Sequence, residues 1–356
     1  MNALDRTKVR RLLLIYELEK NFIGDSCRRF AKLEQFKTFF PNAVMDMNAI
    51  GYYAPTAMLL KNNPYIGAIT NLPWQRIEFD KYDIIICVTD LEQELKAILE
   101  EKGNLNESYL KLPVYSVGIP KRVFPEYDEL NSQLVNSDPN NPTRDAVKLY
   151  VDEKERRWAN EYLGNMGIND EERVIFFLDT STSSEKVLNE KNQIEILSYF
   201  ASMSNTKIIV FDEDNKGKKD FYLSRTDEAI SEKLLFVNGL NLRQTICLLA
   251  SNFTKMVFGP STGLMHCASG VFRNYVNLGM PPEEVPLILV YLSNEPKGFI
   301  EWDWWGDSLA TCSVLKEHAG VRKLTRLTAD NQEGLLSSSE YTQALFIDFL
   351  NELNAK

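Results

Sequence analysis

Imidazole and paired thiols are scarce in this chain. Among its 356 residues there are two histidines, His266 and His318, and five cysteines, Cys27, Cys87, Cys247, Cys267 and Cys312, widely separated and without a C-x-x-C pair. A zinc centre needs several nitrogen or sulfur ligands at short spacing, so no metal site is expected, and no disulfide framework either; a reducing cytoplasm suits such thiols. Long apolar runs are also missing. None approaches the roughly 18 residues of a membrane span, and the first residues lack a secretory h-region with a cleavage site, so any membrane contact is expected to be peripheral, at the inner face of the cytoplasmic membrane. Positive charge is in deficit: 40 Lys and Arg stand against 50 Asp and Glu, a net charge of -10. That balance excludes the concentrated basic face of a duplex nucleic-acid binder, and leaves anionic substrates to be met by local groups.

What is present is a globular composition, 44% hydrophobic and 25% charged, in a chain long enough for about two domains. Continuous apolar runs of the buried parallel-strand type occur at 9–16, 82–88, 173–178, 207–211 and 285–291, with helical apolar spacing between them. Further strands are predicted at 43–47, 66–69, 114–117 and 233–236, and helices at 53–60, 91–102, 154–166, 193–201 and 242–251. A helix opening at Asp25-Ser26 carries Cys27, Phe30, Leu33, Phe36 and Phe40 on one face. The stretch 132–144, with Asp138-Pro139-Asn140-Asn141-Pro142, cannot hold a helix and reads as an inter-domain linker. The predicted organisation is an α/β chain with an N-terminal Rossmann-like domain at 1–135, a linker at 136–147, a C-terminal Rossmann-like domain at 148–335 and a terminal helix at 336–356, apolar-faced over 341–353.

The most informative stretch is 255–270. Met256-Val257-Phe258 reads as a strand that breaks at Gly259-Pro260; Ser261, Thr262 and Gly263 then open a helix carrying His266. Unpaired N–H groups and the positive end of the macrodipole at such a helix start suit a phosphate or diphosphate, although an ordinary capped strand-to-helix connection has the same letters. Three other strand ends carry polar groups. Asp25 begins the first helix, as a cleft carboxylate or as an N-cap. Asp179-Thr180-Ser181-Thr182-Ser183-Ser184 leads to Lys186, hydroxyls and an ammonium fit for phosphate oxygens or for water. Asp212-Glu213-Asp214 can accept from ribose hydroxyls, satisfies a D-x-D metal pattern, and also reads as a charged surface loop. Trp302, Trp304 and Trp305 form either a wall over a ring or a loop anchor.

Taken in order, these motifs resemble glycosyltransferase family 9, the ADP-heptose lipopolysaccharide heptosyltransferases and their relatives. Gly24-Asp25, Phe40-Pro41-Asn42-Ala43, Asn63-Pro64-Tyr65-Ile66 and Tyr82-Asp83 are similar to family motifs in the first half, and Lys186, the acidic loop and Thr262-Gly263-Leu264-Met265-His266 to those of the second. The resemblance implies the GT-B fold, two Rossmann-like domains with parallel sheets facing a central cleft. It also implies metal-independent, inverting sugar transfer from a nucleotide-diphosphate donor such as ADP-heptose to a glycan or glycolipid acceptor, with no other cofactor and no nucleic acid. By the same resemblance Asp25 is the base and Lys186 offsets charge on the leaving diphosphate. Thr262, Gly263, Ser261 and His266 surround that diphosphate, with Thr182 nearby, and Glu213 holds the ribose. Arg28, Arg29 and Lys32 either meet an anionic acceptor or form a solvated basic face. The chain departs from the family pattern at Ser261, where an acid is usual, at Tyr291-Leu292-Ser293-Asn294 in place of F-G-P-T, and in residues 274–286, which look inserted. A non-catalytic descendant that keeps the same fold as a sugar- or nucleotide-binding scaffold is the alternative.

Overall fold

The computed structural model describes residues 6–17, 22–87, 114–116, 147–293, 305, 309–328 and 334–354. The chain divides into two compact units, Met1–Val147 and Lys148–Lys356. The predicted helix at 91–102 and most of the predicted linker lie outside the described residues.

In the first unit, Leu12 to Tyr16 are all buried, because β1 (Arg11–Glu17) is a central parallel strand covered on both faces. It pairs with β2 (Val44–Ile50) on one side and β4 (Ile84–Cys87) on the other; β3 (Ile66–Thr70) and β5 (Val114–Ser116) complete the order β3-β2-β1-β4-β5. The predicted single helix after β1 is two, α1 (Ile23–Phe30) and α2 (Leu33–Phe39). The junction is one tightened turn, in which Lys32 N donates to Arg29 O at 3.1 Å before the regular ladder resumes from Lys32 O. The apolar face survives it, with Cys27, Phe30, Leu33, Phe36 and Phe40 all buried. A third helix, α3 (Tyr53–Leu59), follows β2.

The second unit repeats the winding. Strands β6 (Arg173–Phe177), β7 (Thr206–Phe211), β8 (Leu234–Val237), β9 (Thr254–Pro260) and β10 (Leu287–Tyr291) are parallel, and β11 (Ala310–His318) continues them; β12 (Val321–Arg326) closes the edge antiparallel. The order is β12-β11-β10-β9-β6-β7-β8. Read from the first strand outward, β8-β7-β6-β9-β10-β11 has the 3-2-1-4-5-6 winding of dinucleotide-binding sheets. Helices α4 (Glu153–Asn165) and α8 (Leu242–Leu249) each start in a capping box, Asp152 with Glu155 and Asn241 with Gln244. Between them lie α5 (Glu190–Ser202), α6 (Lys218–Leu223) and α7 (Glu228–Ser231), and α9 (Gly263–Asn277) follows β9.

The closing helix α10 (Gln343–Asn354) belongs to this unit's core. Phe346 meets Phe258 edge-on at 5.2 Å, and the Tyr341 hydroxyl accepts from Leu315 N at 3.2 Å and donates to Leu292 O. The β11–β12 hairpin was not anticipated from the sequence. Its turn places Ala319 and Gly320 at φ 51° and 78°, a primed turn built without the Asn-Gly or Asp-Gly signal that betrays such turns. Cys27, Cys247, Cys267 and Cys312 are buried thiols outside any disulfide. Among the described residues no helix is long and apolar enough to cross a membrane.

Candidate functional site

A doubly wound sheet binds ligands beyond the carboxyl ends of its strands, where the winding reverses. In the second unit that point lies between β6 and β9. The two strand ends touch there. Leu178 N donates to Phe258 O at 2.8 Å, and a Cβ on Gly259 would stand 2.7 Å from both Leu178 Cβ and Leu178 O. Only glycine permits this approach. The predicted strand break at Gly259-Pro260 is therefore wrong: β9 runs on to Pro260, its last residue, which stands opposite Tyr291 at the end of β10.

Beyond Pro260 the chain turns at Ser261, and Thr262 occupies the N-cap position of α9. Thr262 makes no side-chain cap bond, so the amides of the first turn are not met by its hydroxyl. His266 sits in that turn, 9% exposed, its own N–H on Thr262 O at 3.2 Å. The imidazole is stacked on Trp305, with ring centroids 4.0 Å apart and planes within 8°. Trp305 Nε1–H donates to Ser261 Oγ at 3.3 Å. Of the three tryptophans singled out in the sequence, Trp305 is the one within the described residues, and it is buried.

The neighbouring strand end, after β6, delivers the hydroxyl loop. Thr182 is exposed there, and Lys186 is half-buried in a short 3-10 turn, Ser184–Lys186. The next, after β7, delivers the acidic loop. Glu213 is exposed at the start of a 3-10 turn, Glu213–Asn215. Asp212 is buried and accepts from Lys218 N at 3.3 Å and Lys219 N at 3.5 Å, so its carboxylate caps α6. That use weakens the D-x-D reading of the loop. Among the described residues no group of three or more His, Cys, Asp or Glu could hold a metal ion.

Sequence reasoning missed the charged cluster beside these loops. Asp179, the first residue past Leu178, is buried with Oδ1 2.5 Å from Lys218 Nζ and Oδ2 accepting the Tyr222 hydroxyl at 2.8 Å. Lys218 Nζ also donates to Phe211 O at 2.7 Å. Burial and the adjacent Asp179 push the Tyr222 hydroxyl pKa well up, so it stays a donor. No local motif marks the cluster, since Lys218 and Tyr222 stand one turn apart on α6 while Asp179 follows β6, 39 positions before Lys218.

Asp25 belongs to the first unit. It lies in the first turn of α1, where a carboxylate is favoured by the macrodipole, and it is half-buried. Of its two readings the N-cap is corrected, because Phe22 holds the cap position. The helix start is tied to β1 through Tyr16 OH, which donates to Ser26 Oγ at 2.7 Å, and Ser26 donates in turn to Phe22 O at 3.1 Å.

No family model and no curated protein sequence matches the chain. Solved structures do. The glycosyltransferase family 9 protein of Veillonella parvula superposes with a TM-score of 0.64 at 12% identity, covering 98% of each chain. The E. coli ADP-heptose lipopolysaccharide heptosyltransferase II gives 0.57 at 15% identity, over 96% of this chain and 98% of the other. The E. coli heptosyltransferase WaaC, solved with ADP, gives 0.51 at 13% identity, over 97% and 98%. At these identities the likeness is one of fold. It agrees with the α/β architecture of two Rossmann-like units expected from the resemblance to family 9.

Proposed function

We propose that this protein is an inverting glycosyltransferase that moves a sugar from a nucleotide-diphosphate donor, with ADP-heptose the first candidate, to a hydroxyl of a cell-surface glycan or glycolipid. The observation that carries the reading is the winding of the second sheet. Its reversal point brings the α9 amino terminus and the Lys186 loop to adjacent strand ends, on a fold similar to that of heptosyltransferases.

In this reading the first-turn amides of α9, with Thr262 and Gly263, hold the diphosphate, and His266 donates to it. Lys186 offsets the charge that grows on the diphosphate as its bond to the anomeric carbon breaks. Thr182 adds a hydroxyl from the same loop, and Glu213 accepts from the ribose. Asp25 takes the proton of the acceptor hydroxyl as the new glycosidic bond forms on the opposite face of the sugar. The acceptor's proton ends on the carboxylate and the nucleoside diphosphate leaves.

A second reading is a non-catalytic nucleotide-binding scaffold. Ser261 favours it, since an uncharged side chain stands where the resembling family carries an acid. Calorimetry with ADP-, UDP- and GDP-sugars, followed by turnover assays on any binder, separates the two. The transferase reading expects one donor to bind and Asp25→Asn to keep that affinity while transfer drops about 10²–10⁴-fold. Near-wild-type transfer by Asp25→Asn removes the proposed base. Binding without turnover supports the scaffold.

A further inference from the structure

We infer that Trp305 is a positioning residue for the donor diphosphate, acting through His266; the inference rests on the donor-binding reading above. One indole engages both sides of the turn that opens α9. Its edge donates to Ser261 Oγ at 3.3 Å, and its face lies 4.0 Å from the His266 ring with the planes 8° apart. Trp305 is 3% exposed and His266 9%, so the pair is enclosed by protein. Aromatic side chains in cores mostly meet edge-to-face or offset; the near-parallel overlap here sets the imidazole plane as well as filling space.

That plane matters because an imidazole donates only from its rim. A ring free to turn about its last side-chain bond must be ordered when the ligand arrives, and the ordering subtracts from affinity. Held flat against the indole, it is already in place. Ser261 keeps the indole in place in turn. A serine oxygen accepts the indole N–H as a carboxylate would, yet sets no negative charge beside a diphosphate. The departure from the family pattern at Ser261 thereby acquires a purpose: it anchors the ring that orients His266.

The chain of contacts is Ser261 to Trp305 to His266, and its test is non-additivity. The full chain is titrated by calorimetry with ADP, UDP and GDP, with the unfolding midpoint of each variant measured in parallel. Trp305→Phe retains a ring but loses the N–H, and Ser261→Ala loses the acceptor; each is expected to weaken binding of the preferred nucleotide about two- to tenfold, the cost of ordering one freed side chain when the ligand arrives. The double variant is expected to be no weaker than either single one, and each variant to unfold in one cooperative transition with its midpoint lowered only by the loss of that buried contact, about 2–4 °C per lost hydrogen bond. Trp305→Leu removes the stacking face and is expected to match His266→Ala in affinity; should it fail to fold, the Phe and Ala variants decide. Wild-type affinity in Trp305→Phe, or fully additive losses in the double variant, overturns the positioning role and leaves the donor-binding reading standing. No binding of any of the three nucleotides by the wild-type chain overturns the donor-binding reading, and this inference with it.

Discussion

Each unit contains a buried carboxylate met by a cation and a tyrosine hydroxyl, but at opposite ends of its sheet. In the first unit Asp46 of β2 accepts from Arg11 Nη2 at 2.7 Å and from Tyr82 OH at 3.2 Å, and both partners lie at the amino ends of β1 and β4. In the second, Asp179 takes Lys218 and Tyr222 beyond the carboxyl ends of β6 and β7. The two carboxylates are about equally buried, with Asp46 10% and Asp179 7% exposed, but the Arg11 side chain is 44% exposed where that of Lys218 is 14%. The same chemistry ties strands together at the end of a sheet that ligands do not use. At the other end it sits, desolvated, next to the loops proposed to hold the donor.

The contrast is sharpest in stability. Lys218→Met leaves Asp179 buried without its cation and is expected to cost about 3–5 kcal/mol in urea unfolding, together with a measurable loss of nucleotide affinity. A neutral result would mean that water reaches Asp179, and the distinction between the two trios would fail.

High pH probes one tyrosine in each unit, Tyr275 buried and Tyr82 half-buried. Burial pushes the Tyr275 hydroxyl, which donates to Ala250 O at 2.6 Å, up to about 12, the nearby Arg156 opposing the rise. Its folded pKa lies above the unfolded value near 10. From pH 10 upward the unfolded chain therefore holds fewer protons than the folded one, and stability falls until the folded group also ionises. The expected loss between pH 10 and 12 is about 3 kcal/mol, and Tyr275→Phe should flatten that part of the curve. Tyr82 in the first unit is pushed up to about 12, first by burial and then by Asp46, but it is more open to solvent, so Tyr82→Phe should flatten the curve less.

Two crowded glycines extend the comparison. A Cβ on Gly259 would strike the Leu178 backbone oxygen at 2.7 Å, whereas on Gly67 it would strike side-chain tips, Asp46 Oδ1 and Val44 Cγ1, at 2.8 Å. Backbone cannot step aside and an exposed valine can, so Gly259→Ala should cost about 1–3 kcal/mol and Gly67→Ala less. Equal losses in thermal unfolding would show that Asp46 is as immovable as the strand end. The smallest effect is assigned to Arg11→Met, at most about 1 kcal/mol because water reaches the half-exposed guanidinium and screens the pair. Nucleotide binding should not change, and a clear drop in affinity would contradict the structural role given to the amino-end trio.

Much of the resemblance read from the first half concerns that amino end. Asp83 of the Tyr82-Asp83 motif accepts from Arg10 N at 2.7 Å and Arg11 N at 2.9 Å, Asn63 accepts from Tyr65 N at 2.9 Å, and Asn42 donates to Thr7 O at 3.0 Å. All three stand just before a strand begins. Asn63 with Tyr65 is a local device of the kind that leaves a short motif, whereas Asp83 and Asn42 satisfy backbone groups of the β1 segment far away in sequence, and their motifs were legible through the family resemblance alone. Of the first-half motifs, Gly24-Asp25 alone falls at the carboxyl end, which is why it bears the functional proposal. Trp305 had no such motif to mark it: three tryptophans in four residues allowed either a ring wall or an anchor, and the stack on His266 lies 39 positions away in sequence.

The sequence by itself determined the alternation of buried strands and helices, because burial on both faces of a parallel sheet demands the apolar runs that mark β1, β4, β6, β7 and β10. It also marked the turn at Ser261 to Gly263, through small polar residues before an apolar helix. Tertiary structure alone decided the strand order, and with it the meeting of β6 and β9 at Gly259. It decided the pairing of Asp179 with Lys218 and of Ser261 with Trp305 as well. Those contacts depend on which strand lies beside which, and the winding of a sheet is settled by packing summed over the whole unit, which no short stretch of residues records.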